Sequence, residues 1–343
     1  MTRRAAGHPR GRAGLTRLWD SRNPVALCLF PVSLLYCGLM RVRRLVYGWL
    51  SVRRVPARAV IVVGNITVGG TGKTPMVIWV CRLLADHGYR PGVISRGHGG
   101  RRDHGRPVLV TPESDPARVG DEPVLIAART GCPVVVDRRR ARGARALVTE
   151  LGCDVVVADD GLQHYALARD AEIVMVDGTR RFGNGLCLPA GPLRESVERL
   201  RDADFVVATG GTPAPGEYGM GLLAPVALMV RDPSRARPLD DFAGMAVHGV
   251  AGIGHPPRFF SMLEAARMRV DRHPFPDHHP FRAADIRFAD SLPVLMTEKD
   301  AVKCRSFADE RHWFVPVSAS PDEALGPAIL STIQAVSSLH SLR

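Results

Sequence analysis

The residues best suited to chemistry lie in a glycine-rich segment, 67–74, that reads Thr-Val-Gly-Gly-Thr-Gly-Lys-Thr. It follows an apolar run, 59–64, and precedes a helix-length segment, 75–87. Glycines let backbone N–H groups turn inward around a polyphosphate, and the dipole of a following helix favours the anion. The pattern predicts a phosphate-binding loop between a strand and a helix. The residues expected to bind the nucleotide are Thr67, Val68, Gly69, Gly70, Thr71, Gly72, Lys73 and Thr74.

Two side chains of this loop have separate expected roles. Lys73 can reach the β- and γ-phosphates as a point charge, and Thr74 can offer its hydroxyl to Mg²⁺. The common loop pattern has Gly six residues before the Lys, where this chain has Thr67. A glycine-rich turn without a ligand is the alternative, which the strand context and the Gly-Lys-Thr ending disfavour. The segment predicts binding of a nucleoside triphosphate with Mg²⁺.

Two adjacent acids, Asp159 and Asp160, follow another apolar run, 155–158. An acid at the carboxyl end of a buried strand beside a phosphate-binding loop is where a carboxylate holds Mg²⁺. Neighbouring residues point in different directions, so we expect one acid to serve the metal and the other to orient a neighbouring group. A solvated turn is the alternative, which the preceding apolar residues disfavour.

The positive charge is concentrated in one part of the chain. The formal net charge is +12, and the first 58 residues hold twelve Arg, no Lys and a single acid, Asp20. The other residues are nearly balanced in charge, so the basic composition does not support a nucleic-acid partner. We expect the Arg-rich first 22 residues to be disordered or bound to lipid.

Residues 23–40 carry no charge, and Arg residues mixed with Tyr47 and Trp49 follow over 41–54. Eighteen residues are marginal for spanning a hydrocarbon core of ~30 Å, and prolines such as Pro31 weaken that interpretation. The composition favours a helix lying in the headgroup layer of an anionic membrane surface. A soluble core helix and a true membrane span are the alternatives. A cleaved signal peptide is disfavoured, because no small-residue cleavage site follows.

In the body of the chain, short Val- and Ile-rich runs alternate with helix-length segments. Near-continuous apolar strands are covered on both faces, which is typical of a parallel α/β sheet. Strands are predicted at 59–64, 91–95, 107–111, 132–136, 154–158, 172–176, 205–208 and 293–296, and helices at 75–87, 122–130, 138–151, 194–202 and 256–267.

A Gly- and Pro-rich segment, 210–216, indicates a joint between two α/β lobes. We expect an N-terminal segment with a membrane-associated helix at 1–55, a P-loop core at 56–210, and a smaller lobe at 211–335 that closes over a cleft. The seven scattered Cys contain no C-x-x-C pair, which predicts a reducing compartment with neither a disulfide framework nor a zinc site.

Nine ordered blocks along nearly the whole chain carry a family resemblance. They are 63–75, 95–100, 120–123, 159–164, 181–185, 188–195, 251–260, 276–278 and 296–303. Together they closely resemble the tetraacyldisaccharide 4'-kinases, enzymes of lipid A biosynthesis that phosphorylate the distal glucosamine of a membrane-bound disaccharide 1-phosphate. Family members share the Thr at position 67, whereas His98 departs from a Tyr that members often carry.

The resemblance implies transfer of the γ-phosphate of ATP to the 4'-hydroxyl of an acylated glucosamine disaccharide 1-phosphate. It implies that Asp121 accepts the hydroxyl proton and that His278 orients the carboxylate, with Lys73 as the third catalytic residue. Because these residues are far apart in the sequence, the site would form across a cleft. From the residues alone, Asp121 could instead be a helix N-cap and His278 a surface loop residue.

Other polar residues have less specific expected roles. Arg96 and Arg194 are expected to bind the phosphate of the substrate or to stabilise the transferring charge. Glu195 would complete the Mg²⁺ shell or simply begin a helix. Lys299 and Asp300 lie in a Thr-Glu-Lys-Asp sequence whose spacing does not match guanine recognition, so GTP specificity is not predicted.

The second hypothesis is a membrane-associated P-loop ATPase switch of the SRP or ParA type. Such switches need no group that accepts a hydroxyl proton, so the Gly-Asp-Glu-Pro block at 120–123 and the distant His favour the kinase. We expect ATP and Mg²⁺ as ligands, a monomer, and a peripheral or monotopic location at the cytoplasmic face of the bacterial inner membrane.

Overall fold

The computed structural model describes residues 19–49, 53–100 and 105–341. The part of the Arg-rich segment before residue 19, which we expect to be disordered or bound to lipid, lies outside the described residues. The helices of the described part are α1 (Pro24–Trp49), α2 (Lys73–Asp86), α3 (Pro116–Val119), α4 (Asp121–Thr130), α5 (Arg140–Thr149), α6 (Pro256–Ala265), α7 (Ala283–Ile286), α8 (Glu298–Cys304) and α9 (Leu325–Ser341), with 3₁₀ helices at Val197–Asp202 and Leu239–Phe242.

The strands form two sheets. In chain order they are β1 (Ala59–Gly64), β2 (Pro91–Ser95), β3 (Val108–Val110), β4 (Val134–Val136), β5 (Val155–Asp159), β6 (Ala171–Asp177), β7 (Phe205–Thr209), β8 (Tyr218–Leu223), β9 (Val226–Met229), β10 (Ala236–Pro238), β11 (Ala246–Ala251), β12 (Arg269–Pro274), β13 (Val294–Thr297), β14 (His312–Val315) and β15 (Ser318–Pro321).

The larger sheet has the order β15-β8-β7-β6-β1-β5-β2-β4-β3 within the described residues. Its strands from β8 to β4 are parallel, and the two edge strands, β15 and β3, are antiparallel. The predicted parallel α/β sheet is confirmed. Since parallel strands end at a common edge, the loops after β1, β2 and β5 lie side by side.

Both faces of the larger sheet are covered by helices, as its continuous apolar strands require. Along β1, Ile61 and Val63 pack into one core cluster, whereas Val60 and Val62 pack into the other. Residues of α2, α4 and α9 join the first cluster, and residues of α1 and α5 join the second.

The smaller sheet has the order β10-β9-β14-β13-β11-β12 within the described residues. Strands β14, β13, β11 and β12 are parallel, and β9 runs antiparallel to β14. Its core packs around Phe242, Val247 and Leu263, all fully buried.

The boundary between the lobes differs from the one expected at residue 210. The chain continues past that joint into β8, which pairs with β7 of the larger sheet, and it returns at β15, which pairs with β8. The smaller sheet therefore spans residues 226–315, and α9 packs back on the larger sheet through Leu325 and Ile329. The chain therefore crosses between the lobes twice, after β8 and before β15.

The helix predicted at 194–202 is also shorter than expected. A 3₁₀ helix covers only Val197–Asp202. The backbone N–H of Arg194 donates to the carbonyl of Ile66 at 2.6 Å, which holds this stretch against the phosphate-binding loop in a non-helical conformation.

Candidate active site

The predicted phosphate-binding segment, 67–74, comprises the second part of the loop between β1 and α2 and the first two residues of α2, Lys73 and Thr74. Gly69 and Gly72 have φ values of +127° and +82°, which strongly favour glycine. A Cβ at Gly70 would meet no atom within 4 Å, whereas one at Gly72 would lie 2.9 Å from Met220 and from Thr209. The loop is therefore open on one side and tightly packed on the other.

Two buried side chains at this loop have polar atoms without a hydrogen-bond partner among the described residues. They are the amide of Asn65 and the hydroxyl of Thr71. Buried polar groups normally have partners, so these atoms mark a place where a polar ligand fits. Asn65 was missed by the sequence analysis, although it directly follows the strand that leads into the loop.

The two acids after β5 have different neighbours. A carboxylate oxygen of Asp159 accepts a hydrogen bond from the Ser95 hydroxyl at 3.1 Å. Asp160 has a φ of +47° and its carboxylate lies 3.6 Å from the Lys73 Nζ atom and 3.3 Å from Arg194 Nη1. The adjacent side chains thus point in different directions, and Asp160 faces the phosphate-binding loop.

The electrostatics of the acids fit a bound cation. Burial raises the pKa of Asp159 to about 7, and the charges of Glu122 and Asp160 add to this effect. Burial alone would also raise the pKa of Asp160, but Lys73 and Arg194 outweigh it and hold that pKa below its usual value. Carboxylate and hydroxyl oxygens are suitable Mg²⁺ ligands, and Thr74 provides a hydroxyl at the start of α2. The residues present therefore fit Mg²⁺.

Glu195, expected in the Mg²⁺ shell, already has protein partners on both carboxylate oxygens. Oε1 accepts a hydrogen bond from Gln163 Nε2 at 2.8 Å, and Oε2 accepts one from the Tyr165 hydroxyl at 2.5 Å. Arg199 Nε lies 3.5 Å from Oε2. Glu195 precedes the 3₁₀ helix that begins at Val197, so it does not begin a helix either. Its contacts instead hold the loop that carries Gln163 and Tyr165.

The two arginines expected at the substrate occupy different environments. Arg194 lies beside Asp160, with Nη1 at 3.3 Å from both carboxylate oxygens. Arg96 directly follows β2 at the same sheet edge and is exposed. A third arginine, Arg140, is buried and donates to the carbonyl oxygens of Ile94 at 2.9 Å and Asp159 at 2.7 Å. Arg140 thus supports the backbone of the acidic turn.

Asp121 and His278 meet across the cleft between the lobes. Asp121 is the first residue of α4 and is buried, and the preceding Gly120, not Asp121, occupies the N-cap position. His278 follows β12 in the smaller lobe, 157 positions away, and its Nδ1 atom lies 3.1 Å from both Asp121 carboxylate oxygens. Because a carboxylate only accepts, the Nδ1–H donates. The ring of His98 packs edge-on against His278, with centroids 5.0 Å apart.

Two lysines of α8 that the sequence analysis did not place in the site flank this pair. Lys299 Nζ lies 3.1 Å from Glu122 Oε1 and 3.5 Å from His278 Nε2. Lys303 Nζ lies 3.6 Å from an Asp121 oxygen. The chain contains only three Lys among its 46 basic residues, and the third is Lys73. The rarity of Lys was the signal in the sequence that could have pointed to Lys299 and Lys303. A Lys kept where the chain otherwise uses Arg suggests a specific role, because a compact ammonium is not interchangeable with a guanidinium.

The charges around Asp121 keep its carboxylate ionised. The hydrogen bond with Asp121 raises the pKa of His278 above its usual 6.5, although burial opposes the change. Burial would raise the pKa of Asp121, but the hydrogen bond from His278 and the charge of Lys299 outweigh it, so the pKa lies below the usual 3.8. The carboxylate is therefore free of a proton at neutral pH.

Comparison with known proteins gives one consistent result. The sequence model of the tetraacyldisaccharide-1-P 4'-kinase family matches residues 25–334. A tetraacyldisaccharide 4'-kinase of Nitrosococcus oceani is 50% identical over 322 residues, covering 93% of this chain and 94% of that protein. One of Alkalilimnicola ehrlichii is 51% identical over 337 residues, covering 96% of this chain and 98% of that protein.

A solved structure agrees with these relatives. The crystal structure of LpxK from Aquifex aeolicus in complex with ATP is similar to this fold, with a TM-score of 0.75 and 26% sequence identity. The similarity covers 90% of this chain and 99% of that chain. The chain therefore belongs to the tetraacyldisaccharide 4'-kinase family.

Proposed function

We propose that this chain transfers the γ-phosphate of ATP to the 4'-hydroxyl of a tetraacyldisaccharide 1-phosphate, with Asp121 as the group that accepts the hydroxyl proton. The family assignment supports an ATP-dependent kinase of lipid A biosynthesis and does not favour the ATPase switch. The observation that carries the residue assignment is the contact between Asp121 and His278. It joins a buried carboxylate of one lobe to an imidazole of the other.

The proposed proton acceptor suits a loose phosphoryl-transfer transition state. In such a reaction the attacking hydroxyl becomes acidic as its bond to phosphorus forms, so an ionised carboxylate of low pKa can take the proton. His278 donates to both Asp121 oxygens and would hold the carboxylate in one orientation. The positive charges of Lys299 and Lys303 keep Asp121 ionised before the hydroxyl arrives.

We assign the phosphate side of the reaction to the larger lobe. Lys73 would exchange its contact with Asp160 for the terminal phosphates of ATP, which carry more negative charge. Thr74, Asp159 and Asp160 would hold Mg²⁺, which when bound neutralises charge on the β- and γ-phosphates. Arg194, freed in part from Asp160, and the exposed Arg96 are proposed to bind phosphate oxygens of the donor or the acceptor.

The smaller lobe is proposed to close over this cleft. Gly254, in the loop after β11, lies against the phosphate-binding loop, because a Cβ added there would be 3.9 Å from the Gly70 nitrogen. His278 comes from the same lobe and already contacts Asp121, so closure would keep the pair together while excluding water. Both lobes belong to one chain, which supports a monomer as the active unit.

We also propose that α1 attaches the enzyme to the cytoplasmic face of the inner membrane without crossing it. The helix is long and apolar enough to span a bilayer, and little of its apolar stretch is buried against the rest of the protein. However, it lies along the body at several points. Ser33 donates to the Cys187 carbonyl at 2.7 Å, and Arg44 pairs with Asp202 at 2.8 Å. A helix docked in this way leaves its other face for lipid.

Charging the outer face of α1 should release the protein from membranes. Leu35 and Leu39 are 76% and 65% exposed, one helical turn apart. Replacing both by Glu should move the protein from the membrane pellet to the supernatant, because apolar area and attraction to anionic lipids are both reduced. The matched control is Leu109→Glu, an exposed leucine on β3. Salt should partly release the wild type, and equal pelleting of the double variant would contradict attachment through this face.

The kinase assignment is tested by the dependence of ATP consumption on the acceptor. The full-length chain in detergent should consume ATP when an acylated glucosamine disaccharide 1-phosphate is added, and the product should carry one additional phosphate at the 4'-position. A disaccharide already blocked at the 4'-hydroxyl is the control and should stay unreacted. ATP hydrolysis at the same rate without any glycolipid would contradict the kinase and support a switch.

A further inference from the structure

A second cluster of ligand-type side chains lies in the smaller lobe, on strands β11 and β12. His248 is on β11, directly beside Asp271 of the edge strand β12. His273 follows Asp271 by two positions, so both side chains leave β12 on the same face. Within the described residues, this is the group of three whose ligand atoms approach closely enough to hold one metal ion.

The three facing atoms form a nearly regular triangle. His248 Nδ1 lies 3.0 Å from His273 Nε2 and 3.3 Å from an Asp271 carboxylate oxygen, and that oxygen lies 3.2 Å from His273 Nε2. Ligand atoms bound tetrahedrally to Zn²⁺ at ~2.0–2.1 Å are roughly 3.3–3.4 Å apart. An ion just outside the plane of the triangle would therefore contact all three atoms with little movement.

The hydrogen bonding of His248 presents a lone pair to this triangle. Its Nε2 atom lies 3.0 Å from an Asp290 carboxylate oxygen, and a carboxylate can only accept, so Nε2 carries the proton. In the neutral ring, Nδ1 is then an acceptor that faces the oxygen of Asp271. The two acceptors, His248 Nδ1 and the Asp271 oxygen, therefore compete for one donor, the N–H at His273 Nε2. A divalent cation in place of that proton would satisfy all three atoms.

The surroundings hold the ligands in place. The ring of Phe288 stacks on His248, with centroids 3.7 Å apart and an angle of 18°, and it lies 4.4 Å from the ring of His273. His248 is buried, whereas the Asp271 side chain is exposed and leaves an approach from solvent. A carboxylate on the outer nitrogen of a ligating His is the arrangement that orients the ring and strengthens it as a ligand.

We propose that His248, Asp271 and His273 bind one divalent transition-metal ion, for which Zn²⁺ fits the two imidazoles and one carboxylate best. The donor set is unlike the all-oxygen site expected for Mg²⁺. The fourth coordination position would be open to water. A bound ion would fasten the edge strand β12 to β11, and β12 leads into the loop that carries His278. The proposal does not depend on the phosphoryl-transfer mechanism.

The test is metal binding by the untagged, full-length chain after treatment with a chelator. Co²⁺ is the first probe, because four-coordinate Co²⁺ absorbs strongly in the visible range, and Zn²⁺ should then displace it. Wild type should bind one equivalent with the four-coordinate spectrum. His273→Gln and Asp271→Asn should each lose that equivalent, and Asp290→Asn should weaken binding by roughly 10–100-fold. His87→Gln, at the exposed His that directly follows α2, is the matched control and should bind normally.

Thermal unfolding provides a second readout. Zn²⁺ should raise the melting temperature of wild type and of His87→Gln but not of Asp271→Asn, because a ligand that binds only the folded state stabilises it. Asp271 is exposed, so its amide variant should fold even if a substitution at His273 does not. A wild-type spectrum and melting shift identical to those of Asp271→Asn would overturn the proposal, since any metal bound would then lie elsewhere.

Discussion

Replacing Asp121 by Asn is expected to lower kcat by roughly 10²–10⁴-fold, the range for loss of a general base. The amide keeps the size of the carboxylate but cannot accept the hydroxyl proton. ATP affinity should change little, because Asp121 lies with His278 and Lys303 and not among the groups assigned to the phosphates. Steady-state kinetics and equilibrium nucleotide binding measure the two effects separately.

The control for this variant is an aspartate–histidine pair whose two residues both lie in the smaller lobe. Asp309 lies 2.7 Å from His312 Nδ1, so Asp309→Asn makes the same chemical change away from the cleft. It should leave kcat near the wild-type value. An Asp121→Asn enzyme with unchanged kcat would remove the base assignment and leave positioning and Mg²⁺ to account for the rate.

The pH dependence of the pair has a defined sign. Asp121 raises the pKa of His278, so protonation of His278 stabilises the folded state. This stabilisation is fully present below pH 6.5 and is lost as the pH rises through the pKa of His278 in the folded state. His278 in turn lowers the pKa of Asp121, a contribution present above 3.8 and lost as pH falls through the folded value. In Asp121→Asn, an NMR titration should show the His278 pKa lowered toward 6.5.

Replacing Lys73 by Ala is expected to lower kcat by about 10²–10³-fold, or about 2.7–4 kcal/mol, as for the loss of one preorganised electrostatic donor. The ammonium lies 3.6 Å from Asp160, at the start of α2. Without it, the developing charge on the transferring phosphoryl group loses its partner, and Asp160 loses a neighbour that lowers its pKa. Initial rates at saturating ATP and acceptor measure the change.

An exposed cation on the same helix provides the control for Lys73. Arg82→Ala removes a positive charge from α2 at a distance from the loop, where Arg82 donates to the Arg129 carbonyl at 2.9 Å. Its kcat should stay close to wild type. Near-normal turnover by Lys73→Ala would contradict the assignment of residues 67–74 as the phosphate-binding loop.

The parts of the fold that were predictable are those with a local signal. Strands such as β1 and β6 are continuous apolar runs, and a sheet buried on both faces requires that composition. Strands β8 and β15 carry no such signal: β8 reads Tyr-Gly-Met-Gly-Leu-Leu, and β15 pairs with it across about a hundred residues of chain. These two strands join the larger sheet only through long-range pairing. The sequence therefore did not reveal that the larger lobe continues beyond the boundary expected at residue 210.

The candidate site divides in the same way. The loop with Lys73 and the acids after β5 follow from residue type and position on a strand end. The meeting of Asp121 with His278 was implied only by the family resemblance, because no local pattern links residues on different lobes. The contacts of Glu195 with Gln163 and Tyr165 depend on side-chain packing that a sequence does not display.

The central claim is that Asp121 and His278 act as one unit, and a double-mutant cycle in kcat tests it most directly. We expect His278→Ala to lower kcat less than Asp121→Asn does. The double variant should lose less than the product of the two single effects, because groups that act together are non-additive. Losses that multiply fully would contradict the claim and show that the carboxylate and the imidazole contribute independently.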